Sequence, residues 1–354
     1  MIKIEEKKIG DGCPCFIVFE AGPTHCGVES AKKLAYNAAE AGADAIKFQI
    51  LDPDRLIFDK KRMFDYNVLV DRKTGKVEKV SEPLYDILCR RALEKNQWYD
   101  IKKYCDELGI LFFATVGFYD EVDFLDEINC SSIKIASVDV NHYPLMRYVA
   151  SKGIPIQMDT GNATISEIEM AVDVIQSEGF NDIIIHQCPS GYPAHLQSIN
   201  LKMIKTLKQM FQFPIAFSDH TPGWDMDIAA VALGANLIEK TITLDKTTRS
   251  VEHIMSLEPD EMIFFVKAIR DLEIALGNSR RVMSQKQKYD RLIGRRSIYL
   301  AQSVTEGQKL SDVKIEFSRP GYGLGPDMYE KYVNTTFRRD FQSGHRLEMN
   351  DLVF

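Results

Sequence analysis

Eight short apolar runs, each opened by a turn signal and closed by polar residues, constrain this chain more than any other feature. They cover residues 16–20, 43–49, 109–115, 132–137, 155–160, 182–188, 214–219 and 236–242. Nearly continuous apolar runs of this length suit strands buried on both faces, which occur in parallel sheets covered by helices. The stretches between them read as those helices. Thr164-Ile165-Ser166-Glu167 matches a capping box, and behind it Ile168, Ala171, Val172 and Ile175 share one helical face before Gly179. Leu34, Ala35, Ala38 and Ala39 make a similar stripe that ends at Gly42. The longest helical candidate is 258–277, with Ile263, Val266, Ile269 and Ile274 at suitable spacings. Eight strands alternating with helices over roughly 250 residues predict an α/β fold of the (β/α)8 TIM barrel type rather than an open doubly wound sheet.

The barrel is expected to occupy 1–277. Within it, 52–82 is polar and aromatic without clear period, and is expected to be an elaborated loop above the barrel. A polar, charged linker is expected over 278–294. Short strand-like pieces alternate with glycine- and proline-rich turns over 295–354, which predicts a small, mostly β domain. Charge also divides the chain there. Of its 44 Lys+Arg and 51 Asp+Glu, 14 and 9 lie from Arg280 onward, so a basic C-terminal piece follows an acidic body. Its arginines come in pairs separated by acids, which argues against nucleic acid and for an anionic ligand or the acidic body itself. No apolar run approaches the length of a membrane span, and the N-terminus lacks a secretory pattern, so cytoplasm is the expected compartment and no membrane partner is expected. The seven scattered cysteines do not suggest a disulfide framework, and Cys13-x-Cys15 has no second pair for zinc.

In a (β/α)8 barrel the active site lies at the C-terminal ends of the strands. Here those ends are polar: Glu20 and His25, Lys47 and Gln49, Thr115, Lys134 and Ser137, Thr160, Cys188 and Ser190, Ser218 and His220, then Glu239 and Lys240. Two lysines among hydroxyls suit a small phosphorylated anion. The plainer alternative is that Lys47 and Lys134 only pair with Glu20, Asp139 or Glu239. His220, just past the seventh run, could bind a divalent metal, donate to substrate or cap a turn. His186 falls inside an apolar run and reads as a packed core residue. His142 and His195 lie beside prolines in loops, and Tyr192 is either a sugar-stacking ring or a loop anchor.

Glu20-Ala21-Gly22-Pro23-Thr24-His25-Cys26-Gly27 and Gly42-Ala43-Asp44-Ala45-Ile46-Lys47-Phe48-Gln49 resemble the opening motifs of N-acetylneuraminate (sialic acid) synthases. So do Lys134-Ile135-Ala136-Ser137, Ser190-Gly191-Tyr192-Pro193, Ser218-Asp219-His220-Thr221 and Ser256-Leu257-Glu258-Pro259. Arg295-Arg296-Ser297 and Arg319-Pro320-Gly321-x-Gly323 resemble the antifreeze-like (SAF) domain of these enzymes. The likeness runs in order along nearly the whole chain. It implies condensation of phosphoenolpyruvate with an open-chain N-acetylated amino sugar such as N-acetylmannosamine, giving a nine-carbon 2-keto acid and phosphate. It also implies a domain-swapped homodimer in which one SAF domain covers the neighbouring barrel. By position, Lys47, Thr115, Lys134, Ser137, Thr160, Ser190 and Ser218 would hold phosphoenolpyruvate. Gln49, Asp139, Tyr192, Glu252 and Arg319 would face the sugar, Glu20 would move protons, and His220 would hold Mn²⁺ or Mg²⁺.

Three departures from the family pattern stand out. Its Asn-His pair is Thr24-His25 here, its Ser-Thr-Gly is Asp159-Thr160-Gly161, and its second metal-binding histidine is Thr241. The last leaves His220 with Glu20, Glu239 or water, a weaker ligand set. Two alternatives stay open: a related synthase of pseudaminic or legionaminic type with another acceptor, and a barrel that has lost its chemistry and serves as a sugar-binding or assembly protein.

Overall fold

The computed structural model describes residues 1–277 and 279–354. The chain divides into two compact units, Met1–Gly277 and Asn278–Phe354. In the first, eight parallel strands close into a barrel: Phe16–Glu20, Ala45–Gln49, Leu111–Thr115, Ser132–Ile135, Ile156–Asp159, Ile183–Gln187, Ile215–Asp219 and Leu237–Thr241. The eight apolar runs are these strands: the first coincides with its run, and the other seven are each slightly shorter than theirs. Closure removes every exposed sheet edge, and the covering helices bury the outer face.

Local sequence explains the helices. Thr164 caps Ile165–Ser177 by accepting from the Glu167 amide, while Glu167 reaches back to the Thr164 amide at 2.7 Å. This helix buries Ile168, Ala171, Val172 and Ile175 against the sheet. Helix Pro259–Leu276 has a different inner face from the expected one. Met262, Phe265, Val266 and Ile269 are buried, whereas Ile263 and Ile274 are 53% and 80% exposed. Spacings of three, four and seven residues put the first four on one stripe and leave the other two off it. An N-terminal hairpin, Ile2–Ile4 with Lys7–Ile9, packs Ile2, Ile4 and Ile9 against Phe16, Val18, Phe113 and Leu237 at the N-terminal end of the barrel.

Two expectations need correction. The segment 52–82 is no irregular loop: Met63–Asp71 and Lys76–Pro83 form an antiparallel hairpin. Its alternation buries Tyr66, Val68 and Val80 against Ile87 and Val251. The segment 278–294 is not plain linker, since Ser284 caps a helix over Gln285–Gly294. That helix buries none of its residues, which is why no apolar stripe announces it.

The second unit is strand-rich. Ser297–Leu300 pairs with Ile315–Ser318, and Thr336–Phe337 with Leu352–Val353. It has its own core, built on Ile298, Leu300, Leu310, Phe337, Leu347 and Leu352. No helix among the described residues is long and apolar enough to cross a membrane.

Candidate active site

Parallel register sets the strand ends at one height. Glu20 lies opposite Lys47, Gln49 opposite Thr115, Thr115 opposite Lys134, and Ser218 opposite Glu239. Glu20, Lys47, Gln49, Thr115 and Glu239 line a cavity of about 260 Å³ at the C-terminal mouth of the barrel, with Ser137, Asp139, Asp159, Cys188, Tyr192, His220 and Glu252, while Lys134 and Ser218 are buried behind this lining and bonded to Glu239 and Asp159. A larger depression of about 700 Å³, beside Met1 and helix Ile165–Ser177, has no basic side chain in its lining and carries Glu169, Asp173 and Asp182, so it suits an anion poorly.

The cavity floor is a network of buried charges. Lys134 donates to Glu239 Oε2 at 2.7 Å and to Ser218 Oγ at 2.8 Å, and pairs with Asp159 Oδ1 at 2.9 Å. Lys47 pairs with Glu20, reaches Glu239 Oε1 at 3.2 Å and donates to Thr115 Oγ1 at 3.3 Å. Burial and charge compete here. Burial pushes the Lys47 ammonium below its ordinary value, against the pull of Glu239. Burial also works against charge on Lys134, but Asp159 and Glu239 outweigh it and hold that ammonium above its ordinary value. Glu239 loses hydration as well, yet Lys134 and Lys47 hold it well below the carboxylate range.

His186 belongs to this network, so reading it as plain packed core is too narrow. It is fully buried, and burial followed by Lys134 pushes its pKa down to about 3, leaving the imidazole neutral. Gln157 donates its amide to Ser132 Oγ at 3.0 Å, which turns Gln157 Oε1 toward His186 Nε2 at 3.1 Å. Nε2 therefore carries the proton, and Nδ1 accepts beside Lys134. Asp159 and Cys188 are further cavity residues outside the expected substrate contacts; burial pushes the Cys188 thiol up, which disfavours its thiolate.

Toward the rim the lining changes. Burial raises the carboxyls of Asp139 and Glu252 above their ordinary values. Glu252 holds a left-handed φ of 75°, a conformation costing a side-chain-bearing residue on the order of 1–3 kcal/mol and retained where a fold over-determines it. Two glycines are required by close approach: a Cβ on Gly22 would lie 2.5 Å from Glu20 Oε1, and one on Gly161 would lie 2.8 Å from Ser137 Oγ. The Gly22 amide instead donates to Glu20 at 2.5 Å.

Not every candidate joins the cluster. Thr160 spends its hydroxyl on the His186 carbonyl at 2.7 Å, and Ser190 is exposed and donates to Asn162. Arg319 is an exposed residue of the second unit. His25 is buried edge-on to Phe48 and Trp98, with its pKa pushed down to about 4 by burial. Lys240 faces the helix layer, where it is locked between Asp219 and Asp227 and donates to the Thr221 carbonyl at 2.6 Å. That contact pins the turn carrying His220.

For a metal, the donor chemistry is thin. His220 Nδ1 donates to the Pro189 carbonyl at 3.0 Å, which leaves Nε2 as its lone-pair nitrogen, and its ring lies 4.7 Å from that of Tyr192. Thr241 is buried and offers only a neutral hydroxyl, while Glu20 and Glu239 are tied to lysines. Among the described residues no group of three His, Cys, Asp or Glu side chains forms a ligand set. These residues do not fit a tightly held divalent ion.

Comparison with known proteins places the arrangement. The chain is 33% identical to the N,N'-diacetyllegionaminic acid synthase of Legionella pneumophila, over 96% of this chain and 95% of that one. It is 32% identical to a pseudaminic acid synthase of Campylobacter jejuni, over 95% and 96%. The N-acetylneuraminic acid (sialic acid) synthetase of Leptospira borgpetersenii superposes with a TM-score of 0.71 at 30% identity, over 82% of this chain and 94% of that one. With the NeuB family model matching residues 34–281 as well, the chain belongs to the NeuB family and is an enzyme of the phosphoenolpyruvate-condensing, sialic acid synthase type.

Proposed function

We propose that this enzyme joins phosphoenolpyruvate to the aldehyde carbon of an open-chain N-acetylated amino sugar, N-acetylmannosamine or a relative, to give a nine-carbon 2-keto acid and phosphate. The observation that carries this reading is the graded cavity. Lys47 and Thr115 in the lining, backed by the buried Lys134 and Ser218 that Glu239 and Asp159 join to it, form a cationic, hydroxyl-bearing floor for the anion, and Gln49, Asp139, Tyr192 and Glu252 form a polar wall for sugar hydroxyls. In the reaction the enol double bond supplies the electron pair of the new C–C bond, water adds to the cationic C2, and the C2–O bond to phosphate breaks. Lysines and hydroxyls neutralise the anion as charge redistributes, and Glu20, beside Lys47 at the mouth, is placed to carry the proton between water and product.

A pseudaminic or legionaminic precursor as acceptor is the second reading, favoured by the relatives of those two names. The C-terminal unit, as an SAF domain, would cover the neighbouring barrel of a homodimer and bring Arg319 to the acyl group. Phosphate release from phosphoenolpyruvate, measured against a panel of 2-acetamido and 2,4-diacetamido sugars with and without Mn²⁺, tests both readings. Release with one acceptor class identifies the reaction. No release with any acceptor would favour a sugar-binding or assembly role instead.

A further inference from the structure

Five ionisable side chains meet on the cavity floor. Glu20, Glu239 and Asp159 are carboxylates, and Lys47 and Lys134 are ammoniums. His186 is neutral and adds no charge. The floor therefore carries one anion more than it has cations to match. Bringing a multivalent anion into such a site requires one carboxylate to give up its ammonium, because like charges in a desolvated pocket repel strongly.

The three carboxylates are not equally held. Glu239 spans both lysines, one with each oxygen, and Glu20 binds Lys47 with one oxygen and the Gly22 amide with the other. Asp159 is attached through Oδ1 alone, to Lys134 at 2.9 Å and to the Ser218 hydroxyl at 3.1 Å. Its side chain is 13% exposed, against 6% for each glutamate. It also lies at the end of the fifth strand with the cavity before it. Lys134 and Ser218 are the donors that a phosphate or carboxylate oxygen would seek.

We propose that Asp159 is a built-in counter-anion, occupying Lys134 and Ser218 in the substrate-free protein and yielding them to an anionic group of phosphoenolpyruvate, so that this one residue sets the affinity for that substrate. The inference rests on the reading of the floor as the phosphoenolpyruvate site. It accounts for how Lys134, almost wholly buried, stays charged and compensated before substrate arrives. Its consequence is a weaker hold on phosphoenolpyruvate than the same cations would have without the competitor.

Calorimetric titration of phosphoenolpyruvate into the full-length protein and its Asp159→Asn and Asp159→Ser variants, at fixed pH and ionic strength, tests this. Asparagine keeps the size and a hydrogen bond to Ser218 but removes the charge. Both variants should bind phosphoenolpyruvate at least about tenfold more tightly, the change expected for removing one competing charge worth roughly 1.4 kcal/mol. The KM for phosphoenolpyruvate should fall in parallel while that for the sugar stays put, a split that a general loosening of the fold would not give. Wild type binding phosphoenolpyruvate, with the variants binding it equally or less well, would overturn the proposal and leave the anion site standing. Absence of binding in all three proteins would overturn both.

Discussion

Lys47 and Lys134 differ in what their loss should do. Replacing Lys47 by alanine leaves Glu239 still paired with Lys134 but leaves Glu20 with only the Gly22 amide, so kcat/KM should drop by at least about 2 kcal/mol, the scale of a lost charged hydrogen bond, together with some loss of stability. Lys134→Ala strands Glu239 and Asp159 together in a buried site, which should also cost about 3–5 kcal/mol of stability. Steady-state kinetics with thermal melts separates the two effects, and near-normal turnover in either variant would remove that lysine from the site. Thr241 gives the opposite kind of test. A hydroxyl is a poor ligand for Mn²⁺, whereas a second imidazole near His220 would rebuild a nitrogen pair on adjacent strands. Titration of Mn²⁺ should therefore show weak binding in the wild type and at least about tenfold tighter binding in Thr241→His. Micromolar binding in the wild type, unmoved by the substitution, would mean that other residues complete the site.

Elements explain which parts of this molecule could be read in advance. A lysine at the end of an apolar run stands out, so Lys47 and Lys134 were legible from sequence, as was the barrel itself. Inside such a run the two faces look alike, and nothing local distinguishes His186 as an inward-facing partner of Lys134 or Gln157 as the partner of His186. Thr160 shows the same difficulty, since its hydroxyl turns to a neighbouring strand's carbonyl and not to the cavity. The hairpin over 63–83 was obscured because only alternate residues meet a core, and that core includes Val251 from far along the chain. Helix Tyr119–Glu127 carries a prediction of its own. Glu121 Oε2 accepts from the Gly117 and Phe118 amides at 2.7 and 3.1 Å, yet burial pushes the carboxyl up to about 7. A raised carboxyl pKa means the folded protein keeps a proton that the unfolded chain has lost, so stability should fall as pH rises from about 4.5 to 7. Glu121→Gln should flatten that fall, by about 1–3 kcal/mol between pH 5 and pH 8 in denaturant unfolding. Parallel pH profiles in variant and wild type would show that Glu121 titrates normally.

At the scale of the whole molecule, two cores imply two folding units. The barrel is closed, packed at its N-terminal end by its own hairpin and complete by Gly277, while the second unit is organised around Ile298, Leu310, Phe337 and Leu352. Neither core draws on the other, so a chain ending at Gly277 should fold as a barrel. We propose a covering role for the second unit: it is basic, the barrel is acidic, and a basic module with a turn rich in glycine and proline at 319–326, tethered to an acidic body, suits closure over a mouth proposed to bind anions. If that closure happens across a dimer, with Arg319 on the acyl group of the sugar, the truncated barrel should still bind phosphoenolpyruvate on its lysine floor but should lose at least about tenfold in acceptor KM. Arg319→Ala in the full chain should reproduce much of that loss without changing the melting profile. Circular dichroism melts would establish that the truncated protein is folded, and kinetics with the acceptor varied at saturating phosphoenolpyruvate would measure the effect. A folded barrel that retains the acceptor KM of the whole chain would place sugar recognition wholly on the Gln49, Asp139, Tyr192 and Glu252 wall, and would end the case for a covering role of the second unit.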